Sequence, residues 1–275
     1  MRWAKYVTLL FGLFIEAKAA EGKLLATPGT SSIDGSAGGG IVPWAQLSNY
    51  ASDDEWGGSA FCSGAALSDY RLNVCGAQLN LFDRLELSVA EQAFPVVATD
   101  TMIKQSVLGM KVRLYGDVVY SRWPQMSVGV MHKSLSDDAV AQQLGASESQ
   151  GNDLYFAVSK LQLGAIAGYH WFWNVTTRYS EANQNGLLGY GGPEHSSRWH
   201  FEASSAIFLT PHMAVGYEFK EKSQNLGLGE SHWRTAFLAW FPNKSMTVTA
   251  AWLNFGSIAR SKSQKGVYVS ITGYF

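Results

Sequence analysis

The residues of this chain that carry chemistry sit at alternate positions within apolar runs. Arg71, Arg84, Glu86, Lys111, Arg113, His170, Glu202, Glu218 and Arg234 are spaced this way, and Lys133 and Lys220 share the phase at strand ends. Period two sends successive side chains to opposite faces of a strand, so these charges are expected on one face. Charges of both signs around a water-filled interior do selectivity chemistry, because rings of charge choose among solutes. Leaving the strand ends aside, Arg71, Arg84, Lys111, Arg113 and Arg234 outweigh Glu86, Glu202 and Glu218, which predicts a weak preference for anions. Other chemistries find little support. The histidines at 132, 170, 195, 200, 212 and 232 lack metal-ligand spacing, and no HExxH or CxxC occurs. Gly38-Gly39-Gly40 lacks the Lys-Ser/Thr of a phosphate loop. His170 with Ser159 or Ser204 could form a nucleophile and its base, but no local signature surrounds them, and a hydrogen-bonded structural His is the simpler reading. No catalytic residue, metal or cofactor is expected.

Strands must position these groups. Of 275 residues 47% are hydrophobic and 13% aromatic, while only 16% are charged, against roughly 25% in ordinary soluble domains. That excludes a disordered chain, and two cysteines exclude a disulfide scaffold. A net charge of −1 disfavours nucleic acid as a partner. Arg2 and Lys5, the apolar run Tyr6 to Ile15, and Ala17-Lys18-Ala19 read as a Sec signal peptide over 1–19. A Gly/Ser-rich segment, 20–40, follows, and it either lies in a lumen as a plug or trails as a periplasmic tail. Residues 41–275 read as a barrel domain. Strands are expected at 41–50, 57–67, 70–81, 84–93, 105–115, 125–133, 152–160, 164–177, 199–209, 212–220, 231–241, 245–255 and 266–275, the first being weakest because Pro43 interrupts it. Short turns (80–83, 162–163, 210–211, 242–244) alternate with long loops (134–151, 178–198, 221–230, 256–265), the layout of an outer-membrane barrel with its short turns in the periplasm. The expected fold is all-β: a closed antiparallel transmembrane β-barrel of twelve strands beginning at 57, or fourteen if a strand lies within 31–40.

The greasy face, expected toward lipid, includes Phe61, Tyr70, Leu72, Val74, Leu87, Val89, Met110, Phe156, Tyr169, Trp171, Val215, Trp233 and Phe237. Trp44, Trp56, Trp123, Trp199, Trp240 and Trp252 are candidates for interfacial girdles. Gly109, Gly129, Gly168 and Gly216 on the inner face reduce its filling and favour a pore. Cys62 and Cys75 fall opposite each other if Ser68-Asp69 closes a two-residue hairpin, so a cross-strand disulfide is expected, on the face of Arg71 and Asn73.

The chain ends Val267-Tyr268-Val269-Ser270-Ile271-Thr272-Gly273-Tyr274-Phe275. Val267, Val269, Ile271 and the terminal Phe275 resemble the closing strand of substrates of the bacterial barrel assembly machinery, which implies that machinery and outer-membrane lipid as partners. The stretch Ser36-Ala-Gly-Gly-Gly-Ile-Val-Pro-Trp44, with Tyr70-Arg71-Leu72 and Asp83-Arg84-Leu85-Glu86-Leu87, resembles an uncharacterised family of Gram-negative outer-membrane proteins, domain of unknown function 3034. The resemblance implies a barrel in the outer membrane and carries no activity. The leading expectation is a passive, porin-like channel for small solutes with a mixed-charge lumen. Alternatives are an outer-membrane lipid-modifying enzyme using His170 or a loop histidine, and a secreted soluble β-sandwich that binds a ligand.

Overall fold

The computed structural model of the chain describes residues 28–49, 55–96, 101–193 and 197–275. The expected signal peptide and His195 lie outside the described residues. Twelve antiparallel strands close into one barrel: β3 (Trp56–Leu67), β4 (Arg71–Leu81), β5 (Leu85–Val96), β6 (Thr101–Tyr115), β7 (Gln125–Leu135), β8 (Gln150–Ile166), β9 (Tyr169–Ser180), β10 (Arg198–Thr210), β11 (Met213–Lys220), β12 (Trp233–Asn243), β13 (Met246–Ile258) and β14 (Ser261–Tyr274). Each strand pairs with its sequence neighbour, and β14 pairs with β3 to close the ring. Closure leaves no strand edge, which is what lets a sheet stand in hydrocarbon.

Outward positions carry Leu87, Val89, Leu108, Met110, Phe156, Val267, Val269 and Ile271, all exposed. They form the lipid-facing belt. Trp56, Trp123, Tyr169, Trp240 and Phe275 are exposed toward the rim that holds both ends of the barrel chain, the one expected to face the periplasm and called the periplasmic rim, with Tyr179 and Trp199 toward the other.

Residues 28–49 do not join the wall. They are buried throughout and lie inside the barrel, with a two-residue ladder of β1 (Thr30–Ser31) against β2 (Ala37–Gly38). The weak strand expected at 41–50 belongs to this inner segment, so the wall begins at Trp56. Trp44, expected in a girdle, is buried in the lumen beside Phe172, with ring centroids 4.4 Å apart.

Two turns move from their expected places. The first lies at Ala167-Gly168 rather than 162–163, because the irregularity there is a bulge: the β8–β9 register shifts between Gln162 and Ile166. Strands β13 and β14 run on through the expected loop 256–265 to a two-residue turn, Ala259-Arg260, with φ of 46° and 71°. Two left-handed residues in succession match the twist of the flanking strands, as a type I′ turn does.

The β3–β4 register follows the expected arithmetic, Ala65 facing Leu72, Ser63 facing Val74 and Cys62 facing Cys75, and the cysteines form a disulfide with Cα atoms 4.1 Å apart. They share a face with Arg71 and Asn73, but that face is the outer one; Phe61, Leu72, Val74, Trp233 and Phe237, expected toward lipid, point inward and are buried. Inward Gly129 and Gly216 do not open a pore. A Cβ at either would fall on the ring of Tyr155 or Phe237, so each glycine makes room for a large neighbour.

The bridge closes a short loop, which by chain entropy contributes about 3 kcal/mol. Thiol titration of denatured, unreduced protein should find no free thiol. The Cys62→Ser/Cys75→Ser variant should still show heat-modifiable gel migration, with its transition at lower temperature.

Candidate functional site

The inner segment is an irregular chain in a confined space, and every buried N–H and C=O on it needs a partner. The wall supplies many of them. Glu86 accepts from the amide of Ala37 at 3.1 Å and the hydroxyl of Ser36 at 3.0 Å. Lys111 Nζ pairs with Glu86 at 3.2 Å and donates to the carbonyls of Ala37 (2.9 Å) and Gln46 (2.8 Å). Glu218 accepts from the amide of Ile41 at 3.0 Å and from Ser204 at 3.0 Å. Gln78, Gln92, Ser127 and Thr176 donate to the carbonyls of Gly35, Ile33, Ala45 and Pro43. The expected lumen residues Glu86, Lys111 and Glu218 are therefore a socket for residues 28–49.

A second layer sits at the segment's tip. Asp34 lies 3.0 Å from Lys133, 2.9 Å from Arg178 and 3.2 Å from Lys220. Asp153 pairs with Lys133 at 2.9 Å and Arg178 at 3.1 Å, while Glu202 pairs with Arg178 at 2.7 Å and Lys220 at 3.6 Å. Acids and bases balance, and all six side chains are buried. Asn185, in the loop between β9 and β10, accepts from Lys133 and Lys220 and donates to Asp34. Segment, wall and outer loop thus meet at one carboxylate.

Only part of this network is legible in the sequence. Glu202 was expected in the lumen and is there; Lys133 and Lys220, set aside as strand-end charges, are central. Asp34, Asp153 and Arg178 were missed. Arg178 and Asp153 are in phase with inward Thr176 and Tyr155, a signal present in the sequence, whereas Asp34 lies on a segment with no periodicity. Three expected lumen charges stand elsewhere. Arg71 and Arg234 are exposed on outward positions near the outer rim, and Arg84 is exposed in the β4–β5 turn. Arg113 is half-buried at the periplasmic end, bonded to Asp83, Asp117 and the carbonyl of Gly116. His170 is not mid-strand but exposed at the start of β9, where its Nδ1 accepts from the amide of Gly164 at 3.1 Å. Ser159 and Ser204 are buried and engaged with Ala45 and Trp44 of the inner segment.

The segment leaves two chambers. The inner one, about 470 Å³, reaches the periplasmic rim and is walled by Trp44, Val118, Phe172, Phe208, Phe237 and Phe241. The outer one, about 170 Å³, lies beneath Leu144 and Leu187 of the outer loops, against Phe94, Ile103, Trp233 and Phe255. In the outer loop 221–232, Lys222 Nζ stands 3.9 Å over the Trp233 ring. Burial, then the charge of Lys220, pushes Lys222 down to about 7, with Glu230 opposing.

The family model described as "Protein of unknown function (DUF3034)" matches residues 27–272. No curated protein matches the sequence. Among solved structures, the KdgM porin is similar with a TM-score of 0.52 at 10% identity, covering 79% of this chain and 99% of its own. The Acinetobacter baumannii outer membrane protein Omp33 gives 0.51 at 7% identity (81% and 100%). The NanC porin gives 0.51 at 7% identity (79% and 99%). At these identities the likeness is one of fold.

Two outcomes follow. Asp34→Ala leaves the three bases facing two acids, a defect of about 3–5 kcal/mol when one partner of a buried pair is lost. Hydrogen exchange across 28–49 should accelerate about a hundredfold or more, while barrel strands keep their protection. For Lys222 the folded value lies below the ordinary one. Between about pH 7 and the ordinary 10.5 the displaced loop therefore binds more protons, and loop docking strengthens as pH rises. After correction for intrinsic rates, exchange protection of 221–232 should rise with pH over that window, and Lys222→Met should abolish the rise.

Proposed function

The chain belongs to the DUF3034 family, and we propose that it is a passive, gated channel for small solutes across the outer membrane, with residues 28–49 as its gate. The observation that carries this reading is the socket. A twelve-strand ring is wider than the eight-strand barrel that side chains alone fill. Here the space is taken by a segment held through polar contacts and suspended from the periplasmic rim. Gly29 accepts from Tyr274 at 2.6 Å, and Asn49 donates to Phe275 at 2.7 Å, so both ends of the segment lie at that rim. Removing it would uncover a lumen lined by the charged and amide side chains that now grip it.

Two of the similar folds are porins, and the KdgM porin has also been solved in complex with disordered oligogalacturonate. They support transport as the class of function. The enzymatic alternative built on His170 finds no assembled site: no hydrogen bond joins His170 to Ser159 or Ser204 among the described residues, and both serines serve the inner segment. Of the other histidines, His200 lies with its Nε2 3.2 Å from Ser223 Oγ, and both residues are buried.

Planar-bilayer recording tests the proposal. Wild-type protein should show rare, small openings. A variant lacking 28–49 should give frequent stepwise currents, and Asp34→Ala an intermediate opening frequency. If the folded deletion variant, checked by heat-modifiable migration, conducts no better than bare bilayer, the channel reading is wrong.

A further inference from the structure

Resting on the channel reading, we infer that the solutes are small neutral molecules with an apolar body of about one ring and a hydroxyl or carbonyl group. The two chambers lie toward opposite ends of the lumen, and the walls of both are mainly aromatic and aliphatic, with His170, Gln46 and three threonines at the inner one and Arg71 and Gln184 at the outer. Sites for sugars or ions are rich in polar groups, because such solutes pay heavily for desolvation, so the chambers that remain while the segment is seated disfavour them. Apolar cavities stay dry and take apolar guests; one of about 150 Å³ accepts a benzene-sized ring. The outer chamber, at about 170 Å³, is of that size, so it sets the limit on the passenger. The inner chamber, about 470 Å³, lies within the range of ordinary small-molecule sites.

Residues that line each chamber also carry unanswered polar atoms. Trp233 and Gln184 line the outer one, and Trp233 Nε1 and Gln184 Oε1 have no hydrogen-bond partner among the described residues. Thr249 and Gln46 line the inner one, and Thr249 Oγ1 and Gln46 Oε1 are likewise unpartnered. All four residues are more than nine-tenths buried. Buried polar atoms are normally paired, and an orphan calls for an explanation. A few polar groups in a mainly apolar cavity are the usual make-up of a small-molecule site. A guest hydroxyl would accept from Trp233 Nε1 or donate to Gln184 Oε1 in the outer chamber, and pair with Thr249 Oγ1 or donate to Gln46 Oε1 in the inner. The charged layer between them balances its acids and bases around Asp34, so it offers an ionic solute no net attraction. The gate itself lines the inner chamber through Gly39, Gly40 and Trp44, which places the guest against the element that must move.

The test is fluorine NMR of 4-fluorobenzyl alcohol and 4-fluorotoluene with the full-length protein in detergent micelles. Wild type should bind the alcohol saturably, above its partition into empty micelles. Thr249→Val keeps the side-chain shape and removes the hydroxyl. It should weaken alcohol binding roughly three- to tenfold at the inner site and leave 4-fluorotoluene unchanged. Ala206→Phe should fill the inner chamber and Ala65→Phe the outer, each removing one site. Signals that never saturate, or that are the same in both filled variants as in wild type, overturn the inference, as does saturable binding of glucose in place of the alcohol. Conductance of the deletion variant together with no saturable alcohol binding by the wild type overturns this inference and spares the channel. Binding without conductance supports the sites and overturns the channel.

Discussion

An irregular peptide chain enclosed by a sheet must have its amide and carbonyl groups answered, and the rest of this molecule follows from that requirement. Helices and strands satisfy their own backbones; residues 28–49 do so only through the short β1–β2 ladder and a few turn bonds. The remainder falls to the wall, and the inward side chains are matched to it one by one. Carboxylates meet amides, and amide nitrogens, hydroxyls and Lys111 meet carbonyls. The polar lumen is therefore a complementary surface. Its charges are spent on the segment and on one another, which is why Lys133, Arg178 and Lys220 tolerate deep burial.

The same economy explains the layering. Where the wall grips the segment it is polar, and where it does not it is aromatic. Phe208 stacks with Phe241 in the inner half, and Trp233 with Phe255 in the outer. Close fitting extends to the glycines, since Gly39 lets Glu218 reach the backbone where any side chain would block it. A lumen built this way is tightly filled at its waist and hollow toward its ends.

That layering also explains which parts of the structure could be read in the sequence. Strand number, the β3–β4 register and the disulfide were legible, because period-two alternation and residue arithmetic are local properties. The phase of several strands was not. Assigning apolar residues outward assumes that the interior is wet, and Phe61, Leu72, Val74, Trp233 and Phe237 break the rule because they face a chamber or the inner segment. The converse error put Arg71 and Arg234 inside, although near the outer rim charge can face outward beyond the hydrocarbon. Arg178 and Asp153 kept the inward phase, but Arg178 fell in the expected loop 178–198 and Asp153 was passed over at the second position of the expected strand 152–160. Asp34 gave no sign at all, since its position is fixed by three partners remote in sequence.

The path of the inner segment has a topological consequence. It rises from Gly29, turns around Asp34 and returns to Asn49 at the rim where it began, so it is a loop hung inside the ring rather than a thread passed through it. Such a loop is unlinked from the cylinder. Its withdrawal toward the periplasm would break no strand-to-strand bond of the wall, the β14–β3 seam included.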